Sequence, residues 1–329
     1  MTTSDMSLLP RLIWSCTVKK NCRAGAVLFF VAGMCFVLQN REHSKRAGTT
    51  EGVISLRAPQ YTDAESVPDS YSHIRKGDLS WLRTAEDFFR RLETENSQSN
   101  CRKLLKMGGD SCRGIVDGAK WVCLDEDVIF KPPNCTVYSF GLDLEISFDN
   151  EVAWYGCDVY MMDPTLPPDT YSGLEGKQKF FPVGLSDSNL VYPFNLTFLN
   201  WQGIVNMKVA SFDSVKTFIN HTGAVHYLKM DIEGSEWRSL QYMMDHNLLG
   251  GVQQIMVELH SQGIAVLEQH QAVAEMRRKW QFLEQLESHG FLRVKYEPTM
   301  SLDAVYRIPH SNRTLQTCGE LFLLRRYWN

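Results

Sequence analysis

The sequence predicts an α/β fold in which a mostly parallel sheet carries helices on both faces and ends in an antiparallel strand pair. Three observations predict it. From about residue 136 onward, short apolar runs alternate with segments of helical spacing, the pattern of strand–helix–strand units. One such run, Val225 to Met230, leads through Asp231, Ile232, Glu233 and Gly234 directly into a helix, a strand–turn–helix junction of the kind that holds ligands at the carboxyl ends of strands in open α/β sheets. The composition also fits a folded chain able to bury a full core: 329 residues, 44% hydrophobic and 22% charged.

The N-terminal part is organised differently. Lys19, Lys20 and Arg23 precede the uncharged apolar stretch Ala24 to Leu38, and Arg41, Lys45 and Arg46 follow it. The stretch is shorter than the roughly 20 residues of a typical spanning helix, but flanking Lys and Arg can snorkel to the interface. Val37 to Arg41 lacks the small residues of a signal-peptide cleavage site, which favours an uncleaved signal anchor. The charge bias makes residues 1–23 a cytosolic tail and puts the rest in the lumen, a single-pass type II arrangement in the secretory pathway; a cleaved signal and a secreted product is the alternative. Residues 39–75, rich in Ser, Thr, Arg, Glu and Pro, read as a stem or linker. The folded domain is expected over residues 76–329.

Luminal exposure invites two checks. Sequons stand at Asn134, Asn195, Asn220 and Asn312. Of nine cysteines, Cys101, Cys112, Cys123, Cys135, Cys157 and Cys318 fall beyond the apolar stretch. Six allow fifteen full pairings, so a disulfide framework is expected without a connectivity, and buried free thiols are the other reading. No Cys/His set has zinc spacing. A net charge of −4 gives no reason to expect nucleic-acid binding.

Within the domain, Leu79, Trp81, Leu82, Phe88, Phe89 and Leu92 form an opening helical face with Ser80 or Asp78 as N-cap. Strands then follow at Thr136 to Phe140, Cys157 to Met162, Lys179 to Val183, Val225 to Met230 and Gln254 to Leu259. A short helix spans about Ile146 to Tyr155. A second runs from Trp237 through Leu248, stopped by Gly250-Gly251 in a left-handed cap. A long helix carries Val273, Met276, Trp280, Leu283 and Leu286. Phe291 to Tyr296 and Leu321 to Arg325 form the closing antiparallel pair.

Two positions fall where such a sheet holds a nucleotide-like cofactor. Gly141 follows the first strand, where a side chain would block approach of a ligand to backbone. Asp163 ends the second, at the distance from the glycine turn suited to ribose hydroxyls. The plainer reading has Gly141 only turning the chain and Asp163 only capping a helix. The loop Gly141-Leu142-Asp143-Leu144-Glu145 lacks the G-x-G-x-x-G of dinucleotide sites, and its acids would repel a pyrophosphate. They tolerate the sulfonium and ammonium of S-adenosylmethionine. The charge pattern therefore favours a methyl donor.

Four blocks, Tyr138-Ser-Phe-Gly-Leu142, Gly156-Cys-Asp-Val-Tyr-Met-Met-Asp-Pro-Thr165, Leu228-Lys-Met-Asp-Ile-Glu-Gly-Ser-Glu-Trp237 and Val257-Glu-Leu-His260, resemble the methyltransferase-like protein 24 group, distant relatives of FkbM-type methyltransferases. The likeness covers roughly residues 120 to 326. It implies a class I, Rossmann-like methyltransferase fold with S-adenosylmethionine as cofactor. It places Gly141 and Asp163 in the cofactor cleft with Asp231 at its floor; Ser139, Asp143 and, on the adenine side, Asp187 are further cofactor-binding candidates. FkbM-type members methylate hydroxyl oxygens, often on sugars, so a hydroxyl on a glycan or small molecule is the expected acceptor. Asp143 departs from the pattern, standing where a second glycine is common.

Strands four and five are neighbours in this strand order, which brings Asp231 and Glu233 to face Glu258 and His260. The catalytic candidates are these four, with His260, of ordinary pKa near 6.5, or Asp231 as base. No metal is assigned, although three carboxylates and an imidazole also form an oxygen-rich set suited to Mg, Mn or Ca. In the other reading His260 is scaffold and Glu233 caps the following helix. A methyltransferase fold without catalysis, serving as a luminal binding module, is the alternative function. A luminal glycosyltransferase would call for an Asp-x-Asp motif, and Asp143, Asp213 and Asp231 each lack an aspartate two residues away.

Overall fold

In a computed structural model, residues 77–326 are described, save 96, 113–114, 129, 175, 199–200 and 300–304. The expected tail, anchor and stem lie outside them. Among the described residues no helix is long and apolar enough to cross a membrane.

The chain opens with α1 (Ala85–Thr94), then β1 (Leu104–Met107), β2 (Asp110–Cys112), β3 (Ile115–Asp117) and β4 (Lys120–Cys123). The central sheet is built from β5 (Thr136–Phe140), α2 (Ser147–Tyr155), β6 (Asp158–Met162) and β7 (Gln178–Phe181). A side layer follows: β8 (Gly184–Leu185), β9 (Leu190–Phe198), β10 (Trp201–Ala210) and α3 (Phe212–Phe218). Then come β11 (Tyr227–Met230), α4 (Glu236–Asp245), β12 (Gln254–His260), a 3-10 turn, α5 (Gln269–Ser288), β13 (Leu292–Pro298), β14 (Val305–Arg307), β15 (Thr314–Gln316) and β16 (Cys318–Leu324).

Seven strands form one sheet in the order β13-β16-β12-β11-β5-β6-β7. The run from β12 to β7 is parallel throughout. β16 is reversed against both of its neighbours, β12 and β13, as the closing antiparallel pair predicted. Chain order changes direction at β5, with β6 on one side and β11 on the other, so the sheet has its switch point where β5 and β11 adjoin. Parallel strands are covered on both faces and become apolar on both; β12 is buried at all seven positions. Tyr138, Phe140, Leu228 and Met230 face the layer of α1, α4 and α5. Val137, Val159, Met161 and Tyr227 face the layer containing Phe148 and Val152 of α2.

Several boundaries differ from the sequence reading. The opening helix starts only at Ala85, because Thr84 and Asp87 complete a capping box there, and Leu79, Trp81 and Leu82 precede it. Trp81 instead packs edge-on to Trp280 of α5, with ring centroids 4.8 Å apart. α4 ends at Asp245, well short of Gly250-Gly251, and Asn247, at φ 55°, takes the left-handed position expected of a glycine. The segment Leu190 to Ala210, with no derivable conformation in sequence, is a long antiparallel hairpin whose Pro193 pairs with Asn206. Disulfides join Cys101 to Cys123 and Cys135 to Cys157, and Cys318 is disulfide-bonded as well.

Candidate functional site

The register places the site. Met230 pairs with Phe140 on one side and Val257 on the other. The next residue, Asp231, donates its N–H to the Phe140 carbonyl at 3.0 Å and brings its side chain beside the end of β12. After Met230 the chain leaves the strand, and Glu233 (φ 55°) and Gly234 (φ 100°) turn it into α4. Glu233 is thus aimed by a tight turn, not by strand alternation. A left-handed backbone at a non-glycine residue is a strained state that recurs at functional sites.

The turn is tied by a residue that the sequence reading quoted without assigning it a role. Glu236, fully buried at the start of α4, accepts from Ile232 N at 2.8 Å and Gly234 N at 2.9 Å, and its Oε1 lies 2.9 Å from His260 Nδ1. Glu236, not Glu233, satisfies the free N–H groups ahead of α4. The spacing Glu233-Gly-Ser-Glu236 carried a signal for this, a carboxylate at a helix start.

His260 is where the carboxylates converge. Nδ1 faces Glu236 and the Glu258 carbonyl at 3.0 Å. Nε2 points the other way, 3.3 Å from Glu233 Oε2 and 3.9 Å from Asp231 Oδ1, with no aligned hydrogen-bond partner and no access to solvent. Its carbonyl is held by Trp237 Nε1 at 2.8 Å. The structure therefore brings together all four predicted catalytic candidates, and ligand atoms of Asp231, Glu258 and His260 lie within 4.8 Å of one another.

Electrostatics revises one role. Burial alone would lower the His260 pKa, but Glu236, Glu233 and Glu258 around it raise it well above the ordinary value. That direction is away from the base of near-neutral pKa expected at His260. Burial, with Asp231 adding repulsion, pushes the Glu258 carboxyl up to about 8. Glu233, whose side chain is 35% exposed, is the group of the cluster that opens to solvent.

The candidate cofactor residues separate. Gly141 is required, for a different reason than expected: at φ 80° a Cβ there would stand 1.7 Å from the Asp231 carbonyl oxygen. What approaches the glycine is the protein's own backbone. Asp163 is 4% exposed and its four acceptor sites are taken. Oδ2 accepts from Leu142 N at 2.9 Å and Asp143 N at 3.2 Å, and Oδ1 from Thr165 N at 2.8 Å and Thr165 Oγ1 at 2.6 Å. Its carboxylate orders the β5–α2 loop. Ser139 lies deeper. It is fully buried on the α2 side beside Asp149, a carboxyl whose pKa burial raises, with Lys229 and Ser139 opposing. Lys229 is itself buried and donates from Nζ to the Gly141 carbonyl. Asp143 takes φ 44°, so a glycine-like conformation survives the substitution. Asp187 follows β8, partly exposed, between Ser186 and Ser188 hydroxyls, with Arg238 of α4 3.9 Å away.

One Asp-x-Asp does occur, Asp125-Glu126-Asp127, but it is structural. Asp125 is buried, accepts from Arg102 N and Lys103 N, and pairs with Arg326 at 2.7 Å; Asp127 pairs with the same guanidinium. A surface hollow of about 420 Å³ lined by Arg307 to Asn312 contains none of the site groups.

A family profile described as a methyltransferase domain matches residues 65–309. Among solved structures, the chain is similar to the methyltransferase FkbM of Methylobacillus flagellatus, at 15% identity over 56% of this chain and 43% of that one, with TM-score 0.29. It is also similar to a fibrillarin pre-rRNA processing protein of Methanococcus jannaschii, at 10% identity over 60% and 69% of the two chains, with TM-score 0.35. No curated protein matches.

Proposed function

The chain belongs to the methyltransferase-domain family, and on that premise we propose that it transfers a methyl group from S-adenosylmethionine to a hydroxyl oxygen of an acceptor in the secretory pathway, such as a glycan. Family membership implies the methyl donor. The residues fit it in kind: the carboxylates of Asp143, Asp187, Asp231 and Glu233 suit a sulfonium and an ammonium, and the loop held by Asp163 lies at the switch point where α/β sheets take ligands. The Gly141 to Asp143 loop would border the donor, with Asp187 toward its adenine end. When bound, S-adenosylmethionine supplies an electrophilic methyl carbon.

The observation that carries the reading is the convergence of Asp231, Glu233, Glu258 and His260 at one strand edge. Glu233 receives the acceptor hydroxyl's proton, since it is the member that solvent reaches. His260, oriented by Glu236, steadies Glu233 from below, and Asp231 aligns the acceptor oxygen. The disulfides favour an oxidising compartment. Asn134, Asn220 and Asn312 are exposed and open to glycosylation. The commitment of Asp163 to its own loop is the one observation favouring a second reading, a binding module without catalysis.

Calorimetric titration of the purified chain with S-adenosylmethionine tests the premise, and an acceptor screen beginning with glycans tests the reaction. Micromolar donor binding, with turnover lost in Glu233→Gln at unchanged donor affinity, is the expected result. A folded chain that binds no donor supports the module instead.

A further inference from the structure

We propose that Asp231, Glu258 and His260 form a binding site for one divalent cation of the Mn(II) type. The inference rests on geometry and stands apart from the methyl-transfer reading.

The first observation is the ligand set. Two carboxylates and an imidazole bring their donor atoms within 4.8 Å of one another. Donors about 2.1 Å from a shared ion stand roughly 3 Å apart as neighbours and roughly 4.2 Å apart when opposed, so only a small closure is needed. The His260 Nε2 to Asp231 Oδ1 distance, 3.9 Å, falls inside that range. Glu233 Oε2 lies 3.3 Å from the same nitrogen, on the solvent side of the set.

The second observation is independent of the acids. His260 Nε2 is buried, lacks a hydrogen-bond partner and is aimed into the cluster. A buried ring nitrogen is ordinarily satisfied, and one left open among carboxylates points to an absent positive ligand. The far side of the ring completes the pattern. Nδ1 lies 2.9 Å from the buried Glu236 carboxylate, which itself is fixed by two backbone N–H groups. Metal-binding histidines are oriented in this way, by a carboxylate on the second nitrogen that leaves the first for the ion. Among the described residues, the other close grouping of ligand types, Cys101, Cys123 and Asp125, offers no thiol because its cysteines are joined.

The donor chemistry selects the ion. Oxygen donors with one nitrogen suit Mn(II), and the absence of sulfur among these three ligands disfavours soft metals. An ion there would stand beside Glu233 and could polarise an acceptor hydroxyl directly.

The test is Mn(II) titration of the full-length chain, with free ion read by electron paramagnetic resonance and no methyl donor or acceptor present. One ion per chain is expected, with His260→Ala and Glu258→Gln each weakening binding at least tenfold. Glu236→Gln, which touches no ion, should weaken it by about 10- to 100-fold, and the exposed Asp169→Asn should leave it unchanged. Thermal melting reports folding; if His260→Ala fails to fold, the nearly isosteric Glu258→Gln decides. No binding by the folded wild type, or binding that survives Glu258→Gln, overturns the proposal. A chain that binds Mn(II) yet neither binds donor nor transfers methyl keeps the site and defeats the methyl-transfer reading.

Discussion

Replacing Gly141 with alanine isolates the contact on which the site geometry depends. Two effects add. At φ 80° an L-residue sits in the left-handed region, a strain of about 1–2 kcal/mol. The new Cβ would also lie 1.7 Å from the carbonyl oxygen of Asp231, so β5 and β11 must part by roughly 1.5 Å to restore ordinary contact. Overpacking of this kind against backbone adds about 1–3 kcal/mol. The sum is ~2–5 kcal/mol, a large part of the ~5–15 kcal/mol by which domains are stable. Gly234 is the internal control, because it has positive φ but open space where a Cβ would go; Gly234→Ala should carry only the strain. Urea unfolding of both variants measures the difference. The displacement also moves Asp231, and a shift of about 1 Å at a reacting group can slow turnover about a hundredfold. If Gly141→Ala unfolds within ~1 kcal/mol of Gly234→Ala, the close approach is not real and the reasoning fails.

Asp163→Ala removes the acceptor of four hydrogen bonds, so it should lower stability by about 1–3 kcal/mol and weaken S-adenosylmethionine binding by loosening the Leu142 to Asp143 loop. Donor affinity that survives the substitution, measured calorimetrically on folded protein, would remove that loop from the cofactor site. Stability should fall as pH rises, measured with chelator present. The folded pKa of Glu258 lies above its ordinary 4.5, at about 8, and that of His260 lies above 6.5, so the folded state holds more protons than the unfolded one. The Glu258 contribution is complete below pH 4.5 and is lost as pH rises to about 8. That of His260 is complete below its ordinary pKa and fades as pH rises through the raised one. Glu258→Gln should flatten the pH 4.5 to 8 segment; an unchanged profile would show the carboxyl to be ordinarily hydrated.

The parallel strands were legible because burial on both faces makes their runs apolar, and the acids at their ends mark where the sheet meets the site. Thr136 to Phe140 matched to the residue, as did the convergence of four candidates at Asp231, Glu233, Glu258 and His260. The hairpin Leu190 to Ala210 was not legible, since Pro193, Asn195, Asn206 and Gly203 read as breakers when the partner strand is unknown. Glu236 and Asp163 show a different limit. A residue type announces what it can bind, but which atoms claim it first depends on backbone groups that sequence does not place. Both carboxylates went to nearby N–H groups.

β16 gives the site a position in time. His260 sits opposite Cys318 in the ladder, and Glu258 opposite Glu320. On a growing chain β12 emerges long before that partner, and β13, whose sheet neighbour is β16 alone, emerges before it too. Until residues 318–324 slide in between, β12 keeps an open strand edge beside Glu258 and His260, a state that invites pairing with other chains. Of the seven strands of this sheet, β16 is the last to emerge, and it closes over Glu258 and His260.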